Sequence, residues 1–233
     1  MIRPVTLIVL TKYPEIWERF KSNVETLFDL NSFYRVVVLD GKLVPEPKNW
    51  LCVYGPKKFS MAGNANMGWR QVARGTDILY VGDDVTFTSP DTLEKLSELA
   101  HSDPAIGMLS PHIIGGADNP LQKNPDPSTP IQYSEKYLAL VCTFIKQEVI
   151  QSVGYLDEET FKGYGWEDAD YNRRVQNAGY KLAVTPLVKV HHGFTRQGTE
   201  TFMRNVGGYY EDIQAQCDEN ERAYIKKWGD NKR

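Results

Sequence analysis

The sequence predicts an α/β domain whose mixed, mostly parallel central sheet is flanked by helices. Val5–Leu10 and Tyr34–Leu39 are continuous apolar, β-branched runs, as expected of strands buried on both faces. Between them, residues 14–28 place Ile16, Phe20, Val24 and Leu27 on one helical face. Strand, helix, strand in that order implies a parallel pair joined by a right-handed crossover. No internal repeat, heptad run or low-complexity tract competes with this reading.

Composition narrows the class. A chain of 233 residues with 41% hydrophobic content is long enough to bury a sizeable core as one such domain. A net charge of −3 and a pI near 5.9 give no global footprint for nucleic acid. Lys226, Lys227, Lys232 and Arg233 make only a weakly basic tail. Cys52, Cys142 and Cys217 are far apart, with neither metal-ligand spacing nor a disulfide framework, so a reduced compartment is expected. The apolar run from Val5 is too short for a signal-peptide core or a membrane span, and no other segment is a spanning candidate. The expectation is a soluble, cytoplasmic protein.

Taken in order, the first strand ends at Thr11 and Pro14 suits a helix start. The second strand ends in Asp40-Gly41. Ligands of open α/β sheets bind at the carboxyl ends of such strands, which puts Thr11 and Asp40 at the mouth of a pocket. An Asp there can accept from a base N–H or a ribose hydroxyl; a turn-forming Asp before Gly is the plainer alternative. Leu51–Tyr54 is a short strand. A helix follows to Ala73, with Asn64 and Asn66 cap-like and Gly75 as its stop. Asp77–Val81 is a third strand, running directly into Gly82-Asp83-Asp84. Adjacent acids at a strand's carboxyl end are costly unless they bind something positive. Mg2+ and Mn2+ choose carboxylate oxygens and bridge to substrate phosphates; a solvated Asp-Asp turn is the alternative.

Further on, Ser89 caps a helix reaching Ala100, with Pro90 at its first position. Ile106–Leu109 is strand-like, and the proline-rich residues 111–130, including His112, read as a long loop. Tyr137–Phe144 is strand-like and Ile145–Val153 a short helix. Tyr180–Thr185 alternates as a strand, and Leu187–Val190 is another, ending in His191-His192-Gly193. Strand neighbours point to opposite faces, so only one of the two histidines can face a pocket. The stretch from Thr199 to Trp228 is polar and partly helical, interrupted by Gly207-Gly208.

The densest chemistry lies in Gly163-Tyr-Gly-Trp-Glu-Asp-Ala-Asp170. Glu167, Asp168 and Asp170 fall at a loop-to-helix junction, followed by the apolar stripe Tyr171, Val175 and Ala178 and the stop Gly179. One acid could cap the helix and complement its dipole. Three exceed what capping needs, and a carboxylate aimed into a cleft can serve as general base.

This combination resembles the GT-A-fold glycosyltransferases, nearest the large family 2 with its rhamnosyltransferase-like members. The residues that carry it are Asp40, Asn66 with Gly68, Asp83-Asp84, Gly-Trp-Glu-Asp-x-Asp with the downstream Asn-Ala-Gly-Tyr-Lys-Leu, and His-His-Gly, within residues 5–195. The resemblance implies a single GT-A (Rossmann-like) domain over residues 1–198, with a nucleotide-sugar half (1–110), an acceptor half (111–198) and a C-terminal helical extension (199–233). It implies transfer of a sugar from a UDP-, dTDP- or GDP-linked donor to an acceptor hydroxyl, inverting and assisted by Mn2+ or Mg2+. Thr11, Asp40, Asn66, Asp83 and Asp84 would hold the donor. Asp84 with His191 or His192 would hold the metal. Asp168, with Glu167, would be catalytic. Trp166, Tyr164 and Asp170 would meet the acceptor. One departure bears on the metal: Gly82 stands where the usual Asp-x-Asp element has its first Asp. The acceptor could be a glycan or another hydroxyl compound; the acidic pI disfavours a hydroxymethylated DNA base. Two rivals are a sugar-phosphate nucleotidyltransferase, whose Gly-rich phosphate loop this chain lacks, and a non-catalytic carbohydrate-binding protein on the same fold.

Overall fold

A computed structural model describes residues 3–40, 46–56, 58–72, 75–193 and 209–229, with side chains described for all of these except 209–213. The strands are β1 (Val5–Thr11), β2 (Tyr34–Leu39), β3 (Leu51–Tyr54), β4 (Asp77–Gly82), β5 (Val85–Phe87), β6 (Ile106–Gly115), β7 (Gln132–Ser134), β8 (Cys142–Ile145) and β9 (Lys181–His192). The helices are α1 (Pro14–Leu27), α2 (Met61–Trp69), α3 (Thr92–Ser102), α4 (Pro120–Lys123), α5 (Gln147–Val153), α6 (Glu167–Asn177) and α7 (Tyr209–Trp228).

The strands form one sheet in the order β3-β2-β1-β4-β8-β6-β9-β5, with β7 added beside β9. The sheet is mixed rather than mostly parallel. β1–β2, β2–β3, β1–β4 and β6–β9 run parallel, whereas β4–β8, β6–β8, β5–β9 and β7–β9 run antiparallel.

Alternation along each strand divides the core between two faces. Leu7 and Val9 pack with Trp17, Phe20 and Val24 of α1 and Leu96 of α3. Ile8, Val36 and Val38 pack on the other side with Ala65 and Trp69 of α2, Val149 of α5, and Tyr171 and Val175 of α6. A smaller cluster of Tyr137, Phe161, Trp166, Ala169 and Tyr224 seats α7. Among the described residues no helix is long and apolar enough to cross a membrane.

Several boundaries differ from the sequence expectation. α2 starts at Met61, with Ser60 Oγ accepting from the Gly63 N–H, so neither Asn64 nor Asn66 is its cap. α3 starts at Thr92, with Asp91 rather than Ser89 at its N-cap. β6 runs on to Gly115 and α4 interrupts the expected loop, because β9 supplies a partner along the whole of β6. The strand expected over Tyr137–Phe144 begins only at Cys142 and runs one residue further, to Ile145. β9 is one continuous strand rather than two. Gly41, Ala73, Gly207-Gly208, Lys232 and Arg233 lie outside the described residues.

Candidate functional site

The carboxyl ends of β1, β2 and β4 open onto one cleft of about 940 Å³. The chain leaves β1 toward β2 on one side and β4 on the other, and this reversal point is where open α/β sheets bind ligands. Thr11 ends β1, Asp40 follows β2, and Asp83 and Asp84 follow β4; all four line the cleft. So do Tyr164, Glu167 and Asp168 from the junction before α6. The two acidic clusters, distant in sequence, therefore share one cavity.

Tyr80 of β4 also lines the cleft. Burial pushes its phenol above the ordinary range, and the charges of Glu167, Tyr164, Asp168 and Asp83 add to that. A tyrosine inside an apolar run reads from sequence as core, so its place in the cleft was not visible there. Lys12 and Tyr13, directly after Thr11, also line the cleft. The Lys12 ammonium lies 3.5 Å from Asp40 Oδ2 and 5.6 Å from the centre of the Phe59 ring. Asp118 and Lys123, from the segment expected to be loop, line the cleft as well.

Asp83 and Asp84 are adjacent but differently placed. Thr11 Oγ1 donates to Asp83 Oδ2 at 2.7 Å, tying the ends of β1 and β4 together. Burial pushes the Asp83 carboxyl up to about 7; the Thr11 bond opposes this and the Asp84 charge reinforces it. Asp84 turns toward β9 instead, and its carbonyl accepts from the Gly193 N–H at 3.0 Å. His192 Nε2 lies 3.2 Å from Asp84 Oδ2, and His192 Nδ1 bonds the Gly116 carbonyl. Burial lowers the His192 imidazole, but its contacts with Asp84 and Gly116 outweigh that and leave it raised. Gly115 makes the approach possible: its φ is 115°, and a Cβ there would collide with the His192 carbonyl. His191 is exposed and pairs with Thr86 of β5, facing away from the cleft. His192 is thus the one that faces it.

Two ligands of an octahedral ion at about 2.1 Å stand about 3 Å apart. Asp84 Oδ2 and His192 Nε2 have that spacing. A Nδ1–H donated to a carbonyl is the arrangement that leaves Nε2 with its lone pair for a metal. Among the described residues no group of three or more His, Cys, Asp or Glu could hold an ion alone. The residues therefore fit an ion whose remaining ligands come from substrate phosphate and water, the usual habit of Mg2+ and its close relatives. Gly82 contributes space: a Cβ there would lie 2.9 Å from Asp84 Oδ1.

α6 begins abruptly. Trp166 takes the left-handed conformation at φ 72°, with glycines on positive φ at 163 and 165 before it. This kink aims Glu167 and Asp168 into the cleft at the helix start, where backbone N–H groups favour negative charge. Glu167 is buried and Asp168 half-buried; Asp168 Oδ1 accepts from the Ala169 N–H at 2.7 Å.

α7 holds this junction from behind. Asn220 Nδ2 reaches the carbonyls of Lys162, Tyr164 and Gly165 at 2.9, 3.1 and 2.9 Å. A Cβ on Gly165 would lie 2.8 Å from Cys217 Sγ, so the helix sits directly on the loop.

Besides His191, three expected site residues are placed elsewhere. Trp166 is turned onto Tyr224, ring centres 5.1 Å apart, and does not line the cleft. Asp170 is fully buried and bonded to Arg174 Nε and Trp228 Nε1, with Lys227 Nζ at 2.8 Å. Helical spacing explains it: two residues past Asp168, it faces the opposite side of α6. Asn66 exchanges bonds with the backbone of Leu156, Nδ2 to its carbonyl at 2.9 Å and Oδ1 from its N–H at 3.0 Å. It locks α2 to that loop, while Asn64 faces the cleft in its stead.

This is the GT-A fold, shared with solved glycosyltransferases. The mannosyltransferase PcManGT from Pyrobaculum calidifontis, in complex with GDP-Man and Mn2+, superposes with a TM-score of 0.68 at 16% identity over 100% of this chain. GalNAc-T7 with UDP, GalNAc and Mn2+ gives a TM-score of 0.68 at 13% identity over 84% of it. The chain spans 66% of the first protein and 45% of the second. No protein-family model and no curated protein sequence matches the chain.

Proposed function

We propose that the protein transfers a sugar from a nucleoside-diphosphate donor to an acceptor hydroxyl by a single inverting displacement. The observation that carries this is the meeting of the Asp83-Asp84 turn and the Glu167-Asp168 helix start in one cleft. The fold shared with two sugar-nucleotide enzymes supports it.

In this reading Thr11 and Asp40 anchor the nucleoside at the ends of β1 and β2. Asp84 and His192 would hold a divalent cation together with the donor diphosphate, and such an ion would supply positive charge to offset that of the departing diphosphate. Asp168 accepts the acceptor's hydroxyl proton, and Glu167, more buried, orients that hydroxyl. The freed oxygen attacks the anomeric carbon from the face opposite the nucleotide. The bond to the diphosphate oxygen breaks as the new glycosidic bond forms, with no covalent enzyme intermediate. Tyr164, at the cleft rim, offers an aromatic face to the acceptor sugar.

The test is incubation of the full chain with Mn2+ and UDP-, dTDP- and GDP-linked sugars. Slow release of nucleoside diphosphate from one donor is expected without any acceptor, and EDTA should suppress it. Pyrophosphate release from a nucleoside triphosphate plus a sugar phosphate would move the assignment to nucleotidyl transfer.

A further inference from the structure

Asn64 is a buried amide with nothing to hold. Its side chain is 1% exposed, and neither Nδ2 nor Oδ1 has a hydrogen-bond partner. Buried amides are nearly always satisfied, because desolvating one without a partner is costly. An orphan of this kind in a cleft wall points to a ligand that supplies the missing partners.

Its surroundings say which part of a ligand. Asn64 lies one helical turn beyond Met61 on α2, and both line the cleft. Its amide lies against Gly55, where an added Cβ would collide with Asn64 Oδ1. The Gly55 N–H bonds the Leu39 carbonyl at 2.9 Å, and Leu39 immediately precedes Asp40. Asp40 Oδ2 is buried too and has no hydrogen bond, only the Lys12 ammonium at 3.5 Å. Two unsatisfied groups thus line the same cleft and are linked through Gly55 and Leu39, with Tyr13 and Phe59 also in its wall. A carboxylate accepts only; a primary amide both donates and accepts. The ligand edge that satisfies both is planar and carries an N–H beside a C=O. Uracil, thymine and guanine have that imide-type edge. Cytosine and adenine present a ring nitrogen lone pair there, which the Asp40 carboxylate repels.

We infer that Asn64 reads the carbonyl of an imide-type base and makes the protein select uridine, thymidine or guanosine diphosphates over cytidine and adenosine diphosphates. This rests on the glycosyltransferase reading and adds to it a residue that sets donor choice.

The experiment is calorimetric titration of the full chain with UDP, dTDP, GDP, CDP and ADP, each with Mn2+, on the wild type and on Asn64→Leu. Leucine keeps asparagine's branching at Cγ and carries no polar atom, but it is bulkier, so the smaller Asn64→Ala is titrated beside it. The wild type should bind at least one imide-type diphosphate about tenfold to a hundredfold more tightly than CDP and ADP. Asn64→Leu should lose most of that preference. Because the amide has no partner in the protein, the unliganded variant should melt no lower than the wild type. Wild-type preference for CDP or ADP overturns the inference, as does an Asn64→Leu variant that keeps the wild-type order. A marked fall in melting temperature in both Asn64→Leu and Asn64→Ala also overturns it, since the amide rather than overpacking would then be the cause. Tight but base-indifferent binding refutes Asn64 as reader and leaves the transferase reading standing. Absence of any nucleotide binding removes both.

Discussion

His192 Nε2 stands 3.2 Å from Asp84 Oδ2, at the point where the end of β9 crosses the turn after β4. The Gly115-Gly116 turn makes room for the imidazole and takes its Nδ1 hydrogen bond. Two ligands of one ion should not act independently. Asp84→Asn and His192→Gln should each weaken Mn2+-dependent nucleoside diphosphate binding at least about tenfold. The double variant should lose less than the two effects summed, as expected for groups sharing a partner. Calorimetry with and without EDTA decides it; unchanged dissociation constants in both single variants would count against a metal site.

Gly82 invites a reversal of intuition. Restoring the familiar Asp-x-Asp pattern with Gly82→Asp looks like a repair of the metal site. The space says otherwise, because any Cβ at this position comes within 2.9 Å of Asp84 Oδ1. A separation that short forces the neighbour to move, and here the neighbour is the proposed ligand. Gly82→Asp should therefore weaken cation-dependent binding relative to wild type. Stronger Mn2+ binding in this variant would show that Asp84 is not the ligand.

Asp168 and Glu167 are adjacent yet differ in exposure, and that separates their proposed roles. Removing a general base while keeping its shape should spare donor binding and lower turnover by about 10²–10⁴-fold. Asp168→Asn is expected to behave this way. Glu167→Gln, changing an orienting group, should raise the apparent Michaelis constant for the acceptor more than it lowers turnover. Near-normal turnover in Asp168→Asn would refute the assignment of the base.

Much of this site could be read from the chain because strand ends announce themselves. Apolar β-branched runs stop at Thr11, Leu39 and Gly82, and the polar residues that follow line the cleft. Glu167 and Asp168 were legible for a related reason: three acids at a helix start exceed any capping need. What stayed hidden depended on tertiary contacts. Trp166 looks like a sugar platform until α7 is docked against it. Asp170 looks like an acceptor contact until Arg174, Lys227 and Trp228 converge on it. The Asn66–Leu156 exchange and the orphan at Asn64 are likewise indistinguishable in sequence, since both asparagines sit in the same helix. Sheet direction was overestimated as parallel because an apolar run carries no sign of which way it pairs.

α7 gives a pH prediction. Lys227 Nζ lies 2.8 Å from both Asp157 Oδ2 and Asp170 Oδ1, joining the helix to the loop beneath it. Burial tends to raise the Asp157 carboxyl, but its bonds to Lys227 and to Thr160 outweigh that and hold it down at about 2. A carboxyl held low in the folded state takes up its proton later than it does in the unfolded chain. Its contribution to stability is complete above the ordinary aspartate value of about 3.9, declines as pH falls, and is gone once pH passes below about 2. The Asp157 side chain is 24% exposed, so solvent screening keeps the effect modest. In thermal melts taken from about pH 5 down to about pH 2, Asp157→Asn should therefore lose less stability than the wild type. Lys227→Met should start lower at neutral pH, because it leaves the fully buried Asp170 with one cation fewer. Parallel pH profiles for wild type and Asp157→Asn would mean that the Asp157–Lys227 pair does not help to hold α7 in place.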